Sequence, residues 1–123
     1  MFSRIFTMLA VLACTSVAAH AAGDPVKGAQ VYKRCAICHT DQKVGANGLG
    51  PNLFGIVGQK AATRPGFSYS PVLKNSKLVW TEANLHKWIT SPGRMLPGNK
   101  MVFSGITSKK QQTDLIAYLA SQK

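Results

Sequence analysis

The sequence predicts an all-α domain. Helix-start signals stand at Asp24-Pro25, Thr81 and Ser108, each followed by apolar residues at helical spacing, while glycine and proline break the chain between them. No run alternates polar and apolar residues as a strand would. With 123 residues, 46% hydrophobic and 15% charged, the chain has material for one small globular domain, and it carries no internal repeat or low-complexity tract.

The first helix is expected to open at Asp24, an N-cap, with Pro25 at the first helical position. Val26, Ala29 and Tyr32 follow, so this helix is expected to run into Cys35. Glycines at 45, 48, 50, 55 and 58 then predict irregular chain folded closely over something flat. Pro65-Gly66 marks a turn, and Pro71 can open a short helix. Thr81 caps a helix in which Leu85, Trp88 and Ile89 share one face, and Pro92 stops it. His86 falls on the partly exposed side of that helix. Residues 91–105 return to loop, with Pro92, Gly93, Pro97, Gly98 and Gly105 as breakers. A capping box, Ser108-x-x-Gln111, starts a closing helix whose Leu115, Ile116 and Leu119 form an apolar stripe.

Chemistry concentrates in Cys35-Ala36-Ile37-Cys38-His39. A Cys-x-x-Cys pair can serve as a redox dithiol, as half a zinc site or as a haem tether, and the histidine directly after it selects the last. Two thiols on a tight turn can each add to a haem vinyl group, and the next residue then aims its imidazole at the iron. Zinc would need two further ligands, and outside the leader only His86, in an unrelated segment, is available. A thioredoxin-like use would need a β-α-β context, whereas helical patterns flank this motif.

A haem iron held by His39 has a second face to fill, and the group that fills it separates electron carriers from gas binders and catalysts. Met95 and Met101 are the methionines beyond the leader. Local chemistry favours Met101, which follows the stiff turn Pro97-Gly98-Asn99-Lys100, and leaves Met95 open. Phe67, Tyr69 and Trp80 can pack the core, contact the haem, or do both.

Residues 1–22 read as a signal peptide. Arg4 is their only charge, Ile5 to Val17 is largely apolar, and Ala19-His20-Ala21 fits a small-x-small cleavage pattern, with the cut after Ala21 or Ala22. A membrane anchor would need roughly 20 apolar residues, and this run is shorter and broken by Thr7, Thr15 and Ser16. No stable membrane insertion is therefore expected. Val11-Leu12-Ala13-Cys14 loosely matches a lipobox, so acylation of Cys14 is a minor alternative that Leu12 fits badly. Without Arg4 the domain, 23–123, keeps 14 basic and 4 acidic residues, a net charge of +10. Such a charge speeds encounter with acidic proteins. Export argues against nucleic acid as the ligand and places the protein in the periplasm.

Together these residues resemble the class I cytochromes c, close to the mitochondrial and bacterial c2 type. The resemblance rests on Cys35-Ala36-Ile37-Cys38-His39-Thr40, Gly50-Pro51-Asn52-Leu53, Pro65-Gly66-Phe67-Ser68-Tyr69, Trp80, Pro97-Gly98-Asn99-Lys100-Met101-Val102-Phe103 and Asp114-Leu115-Ile116-Ala117-Tyr118-Leu119. It implies helices and loops wrapped round one haem c bound through Cys35 and Cys38, with the first and last helices crossing where Gly28 and Tyr32 meet Leu115 and Tyr118. It also implies His39 and Met101 as axial ligands, a Pro51 carbonyl that orients His39, and Tyr69 and Trp80 bonded to a buried propionate. Gln59, Leu73 and Trp88 depart from the mitochondrial pattern, which has arginine, asparagine and tyrosine there.

The function so implied is that of a monomeric one-electron carrier, not an enzyme. Lys33, Lys43, Lys60, Lys100 and Lys109 are candidates for a basic ring round the haem edge that steers acidic redox partners. A haem peroxidase or nitrite-reducing domain would need an open iron face and a distal acid–base residue. A gas sensor of the four-helix type would carry its Cys-x-x-Cys-His near the C-terminus.

Overall fold

The computed structural model describes residues 23–123, so the expected leader, its cleavage point and Cys14 lie outside the described residues. Five helices form the regular structure: α1 (Pro25–Tyr32), α2 (Pro71–Asn75), α3 (Glu82–Thr90), α4 (Pro92–Met95) and α5 (Lys109–Ser121). No strand forms among the described residues, and Lys60 and Val79 make an isolated antiparallel bridge.

Each helix begins on a side-chain oxygen that takes up amides left free in the first turn. Asp24 accepts from Val26 and Lys27, Ser70 from Leu73, Thr81 from Asn84, Ser91 from Arg94 and Ser108 from Gln111. Proline follows the cap of α1, α2 and α4, where its missing N–H leaves no bond unmade. Pro92, expected only to stop the third helix, therefore also opens α4 inside the segment expected to be loop. Another departure concerns α1, which ends as an α-helix at Tyr32 before reaching the cysteines. The chain keeps winding: the Lys33, Arg34 and Cys35 amides reach three residues back (3.3, 3.1 and 2.7 Å). Bonds of that type tighten a helix end and turn the chain more sharply.

α1 crosses α5 at backbone distance. A Cβ on Gly28 would stand 1.9 Å from the Asp114 carbonyl oxygen and 2.8 Å from the Tyr118 Cβ, so no side chain fits there. One turn on, the Tyr32 and Tyr118 rings pack 5.1 Å apart at 42°. The expected meeting of Gly28 and Tyr32 with the α5 segment is thus what the fold contains. α3 lies on the other side of α5 and adds Leu85, Trp88 and Ile89 to a core completed by Trp80, Ile106, Leu115, Ile116 and Leu119. Trp80 meets Trp88 edge to face, with ring centroids 5.1 Å apart.

Asp114 ties the crossing together. Its Oδ1 accepts the Asp24 N–H (2.9 Å) and its Oδ2 accepts Lys110 Nζ (2.8 Å), so one carboxylate of α5 fixes the residue that caps α1. The Lys110 bond first, then the Asp24 amide, hold its pKa below the ordinary aspartate value. A carboxyl depressed in the folded state stabilises above its unfolded pKa, and that contribution is lost as pH falls through the folded value. Denaturant unfolding of the wild type should therefore weaken below about pH 4, the unfolded aspartate range. In Asp114→Asn this component should be missing, giving a smaller difference between pH 7 and pH 3.

Candidate functional site

The tight turns after α1 present the Cys-x-x-Cys-His segment to the interior. Ala36 and His39 donate four residues back, to Tyr32 and Cys35 (2.9 Å each), so Cys35, Cys38 and His39 lie on one wound stretch. Cys35 is half-buried and Cys38 exposed. Burial pushes the Cys35 thiol up to about 11, against the lowering effect of Arg34. That describes the thiol before haem is attached; a thioether at Cys35 has no proton to lose.

His39 is oriented by its neighbours. Nδ1 donates to the Pro51 carbonyl at 2.7 Å, which leaves the lone pair on Nε2, the arrangement a ligating histidine needs. Burial is the larger influence on the ring and holds its pKa below the usual histidine value, with the Pro51 bond partly offsetting it. Gly50 permits this pose: a Cβ there would lie 2.5 Å from Cε1 and 3.0 Å from Nε2. The neutral ring is held with one nitrogen committed and the other available.

Cys35, Cys38, His39, Pro51, Tyr69, Trp80 and Met101 all line one cavity of about 540 Å³. That volume is in the range of small-molecule and cofactor pockets, and the wall is mostly apolar. Met95 sits in α4, packed on the core and away from this wall, and His86 instead bonds Gln112 at 2.9 Å. Neither side chain faces the cavity. Two thiols, an imidazole with a free Nε2 and a thioether around an apolar slot fit a covalently tethered haem.

Tyr69 and Arg64 form the polar part of the wall. The Tyr69 hydroxyl accepts the Arg64 N–H at 3.0 Å, and its pKa is raised by burial. The Arg64 guanidinium donates to the carbonyls of Asn52 (Nε, 2.9 Å) and Phe54, so a fixed positive charge faces the cavity. Sequence reasoning missed Arg64, because an arginine ahead of Pro65-Gly66 looks like an ordinary loop residue. Gln59, singled out for lacking an arginine's charge, is exposed and does not line the wall. Of the five lysines proposed for the rim, Lys60 and Lys100 line the cavity. Lys33, Lys43 and Lys109 are exposed but do not, whereas Arg34, absent from that set, does. Leu49 and Val102, 83% and 100% exposed, add apolar surface at the same place.

Residues 25–123 match the family model described as Cytochrome c. Cytochrome c2 of Rhodomicrobium vannielii is 50% identical over 107 residues, covering 87% of this chain and 86% of the relative. Cytochrome c2 of Rhodoblastus acidophilus is 41% identical over 102 residues, 83% of this chain and 95% of the relative. Among solved structures, cytochrome cH from Methylobacterium extorquens superposes with a TM-score of 0.76 at 42% identity, over 80% of this chain and 99% of that one.

The close seat of His39 on Gly50 is testable. Gly50→Ala should lower the stability of the haem-loaded protein by about 1–3 kcal/mol in denaturant unfolding, the usual cost of overpacking. Gly93→Ala, where a Cβ meets nothing within 4 Å, should leave it unchanged or slightly higher. Equal effects at the two positions would show that Gly50 is not needed for the pose.

Proposed function

The chain belongs to the cytochrome c family, and on that premise we propose that it carries single electrons between protein partners without making or breaking a substrate bond. Haem c, held covalently at Cys35 and Cys38, supplies the one-electron iron couple. The observation that carries this reading is the gathering of Cys35, Cys38, His39 and Met101 on one apolar cavity.

In this reading the protein's own part is to hold still. Nε2 of His39, kept in register by the Pro51 carbonyl, and the Met101 thioether would be the protein's two donors to the haem iron. Tyr69, Trp80 and the fixed charge of Arg64 receive a propionate in the polar corner of the wall. Rigid ligands and a water-poor wall keep reorganisation small when the charge changes. Catalysis on a bound substrate is disfavoured by the composition of the wall: among the described residues it has no carboxylate and no imidazole besides His39.

Export, cleavage after Ala21 or Ala22, and a periplasmic monomer spanning 23–123 belong to the same proposal, supported by the apolar leader. No described helix is long and apolar enough to cross a membrane. The partners are redox proteins with acidic surfaces, met at the cavity that Arg34, Lys60 and Lys100 line together with exposed Leu49 and Val102.

Two measurements test this. The oxidised protein should show the near-infrared sulfur-to-iron charge-transfer band, lost in Met101→Ala and kept in Met95→Leu; a band that survives Met101→Ala rejects this ligand. Association with an acidic redox partner should slow several-fold between low and physiological ionic strength, and Lys60→Glu with Lys100→Glu should flatten that dependence. Rates indifferent to salt would rule out steering at this mouth.

A further inference from the structure

Residues 101–108 form neither helix nor strand, so the strap that carries Met101 has no backbone ladder of its own. Met101 and Phe103 are half-buried and Val102 and Ser104 exposed, an alternation that ends at Ile106, 2% exposed. Met101 and Phe103 pack on the core and Arg34 lies over the Phe103 ring, but the backbone of the strap is fixed by hydrogen bonds mainly at its ends. The upstream anchor is Asn99, whose Oδ1 accepts the Met101 N–H (2.8 Å) while its Nδ2 donates to the carbonyls of Pro92 (3.0 Å) and Leu96 (2.8 Å).

The downstream anchor is Ile106. Its N–H donates to the Ile89 carbonyl at 2.8 Å, and its own carbonyl accepts from Nε2 of Gln112 at 2.5 Å. Beside it, Gly105 presses on the end of α3: a Cβ there would stand 2.0 Å from the Thr90 carbonyl oxygen. Gln112 is 2% exposed, lies on α5 and does not line the cavity. Every polar hydrogen of its amide is used. One goes to the Ile106 carbonyl, the other to Thr90 Oγ1 (2.8 Å), whose own proton is given to the His86 carbonyl (2.7 Å).

The orientation of this amide is forced. A flipped amide would set its oxygen against the Ile106 carbonyl, two acceptors with no proton between them. The Gln112 oxygen must therefore face His86, and Nδ1 of His86 must carry the proton in their 2.9 Å bond. One buried side chain thus binds α3, α5 and the strap at a point five residues from Met101. Its bonds are shielded from water, where an unmade one costs most.

We infer that Gln112, locked in place by His86, is a positioning residue that sets how readily Met101 leaves the cavity. This rests on the Met101 ligation proposed above. Its test uses the oxidised holoprotein and added imidazole, which binds the iron only when Met101 has moved away, so its apparent affinity scales with the population of displaced strap. Gln112→Leu keeps the bulk but leaves the Ile106 carbonyl unpaired. Imidazole should bind about tenfold more tightly in this variant, and protection of the Ile106 amide against hydrogen exchange should fall by a similar factor. His86→Leu, which leaves α5 and Gln112 intact and only unlocks the amide, should shift both in the same direction by less.

A merely structural role would lower the global unfolding midpoint and leave imidazole affinity, measured far below the transition, at the wild-type value. Affinities within twofold of wild type in both variants overturn the inference, and so does unchanged Ile106 exchange. If wild-type protein lacks the near-infrared band, the ligand assignment fails instead, and Ile106 exchange alone still decides whether Gln112 tethers the strap.

Discussion

The close approach of α1 to α5 at Gly28 is the constraint from which the rest of the molecule follows. α1 is only two turns long and ends three residues before Cys35, so its direction decides where the cysteines and His39 are delivered. α5 supplies Leu115 and Leu119 to the cavity wall and Gln112 to the strap. Any side chain at Gly28 would push these two helices apart and separate the tethering residues from the wall they face. The crossing is also satisfied electrostatically, since Asp114 bonds the residue that caps α1. A packing contact, a cap and a ligand segment are thereby joined within a few residues.

Between its helices the chain is mostly loop, and loops leave backbone groups that sheets would otherwise pair. Side-chain amides take over that task here. Asn52, 4% exposed, bonds the Gln42 and Gly45 carbonyls and accepts from Phe54 N–H, while Asn99 and Gln112 hold the two ends of the Met101 strap. Among the described residues no buried side-chain nitrogen or oxygen lacks a partner. Those bonds hold the irregular chain at defined points, which a site built from loops requires.

Residues that report on themselves were legible in the sequence. Asp24-Pro25, Thr81 and Ser108 announce helices through local chemistry, and Cys35, Cys38 and His39 announce a tether through their spacing. The path of the chain after Tyr32, the helix at Pro92 and the partners of Arg64 were not legible in the same way. The first needs the balance between three- and four-residue hydrogen bonds. For α4, the same cap-and-proline signal that opens α1 and α2 was present at Ser91-Pro92, but it competes with Pro92 acting as a terminator. Arg64 finds the Asn52 and Phe54 carbonyls across a gap that only tertiary folding closes. The pairing of His86, on the partly exposed side of its helix as expected, with Gln112 was hidden for the same reason: the bond joins residues on different helices.

The distribution of charge connects stability with the proposed function. Of the 4 acidic residues in the whole sequence, three have structural tasks: Asp24 caps α1, Asp41 accepts the Tyr118 hydroxyl, and Asp114 fixes the crossing. Lys110–Asp114 is the one ion pair among the described residues. Most basic side chains are left without a carboxylate, and the resulting self-repulsion works against the compact state. The fold tolerates this because its anchors are hydrogen bonds and backbone packing rather than surface ion pairs, which contribute little in water. At the cavity Lys100 bonds the Ser68 carbonyl and Arg34 the Gly105 carbonyl, but no carboxylate neutralises either, so their charge still acts outward.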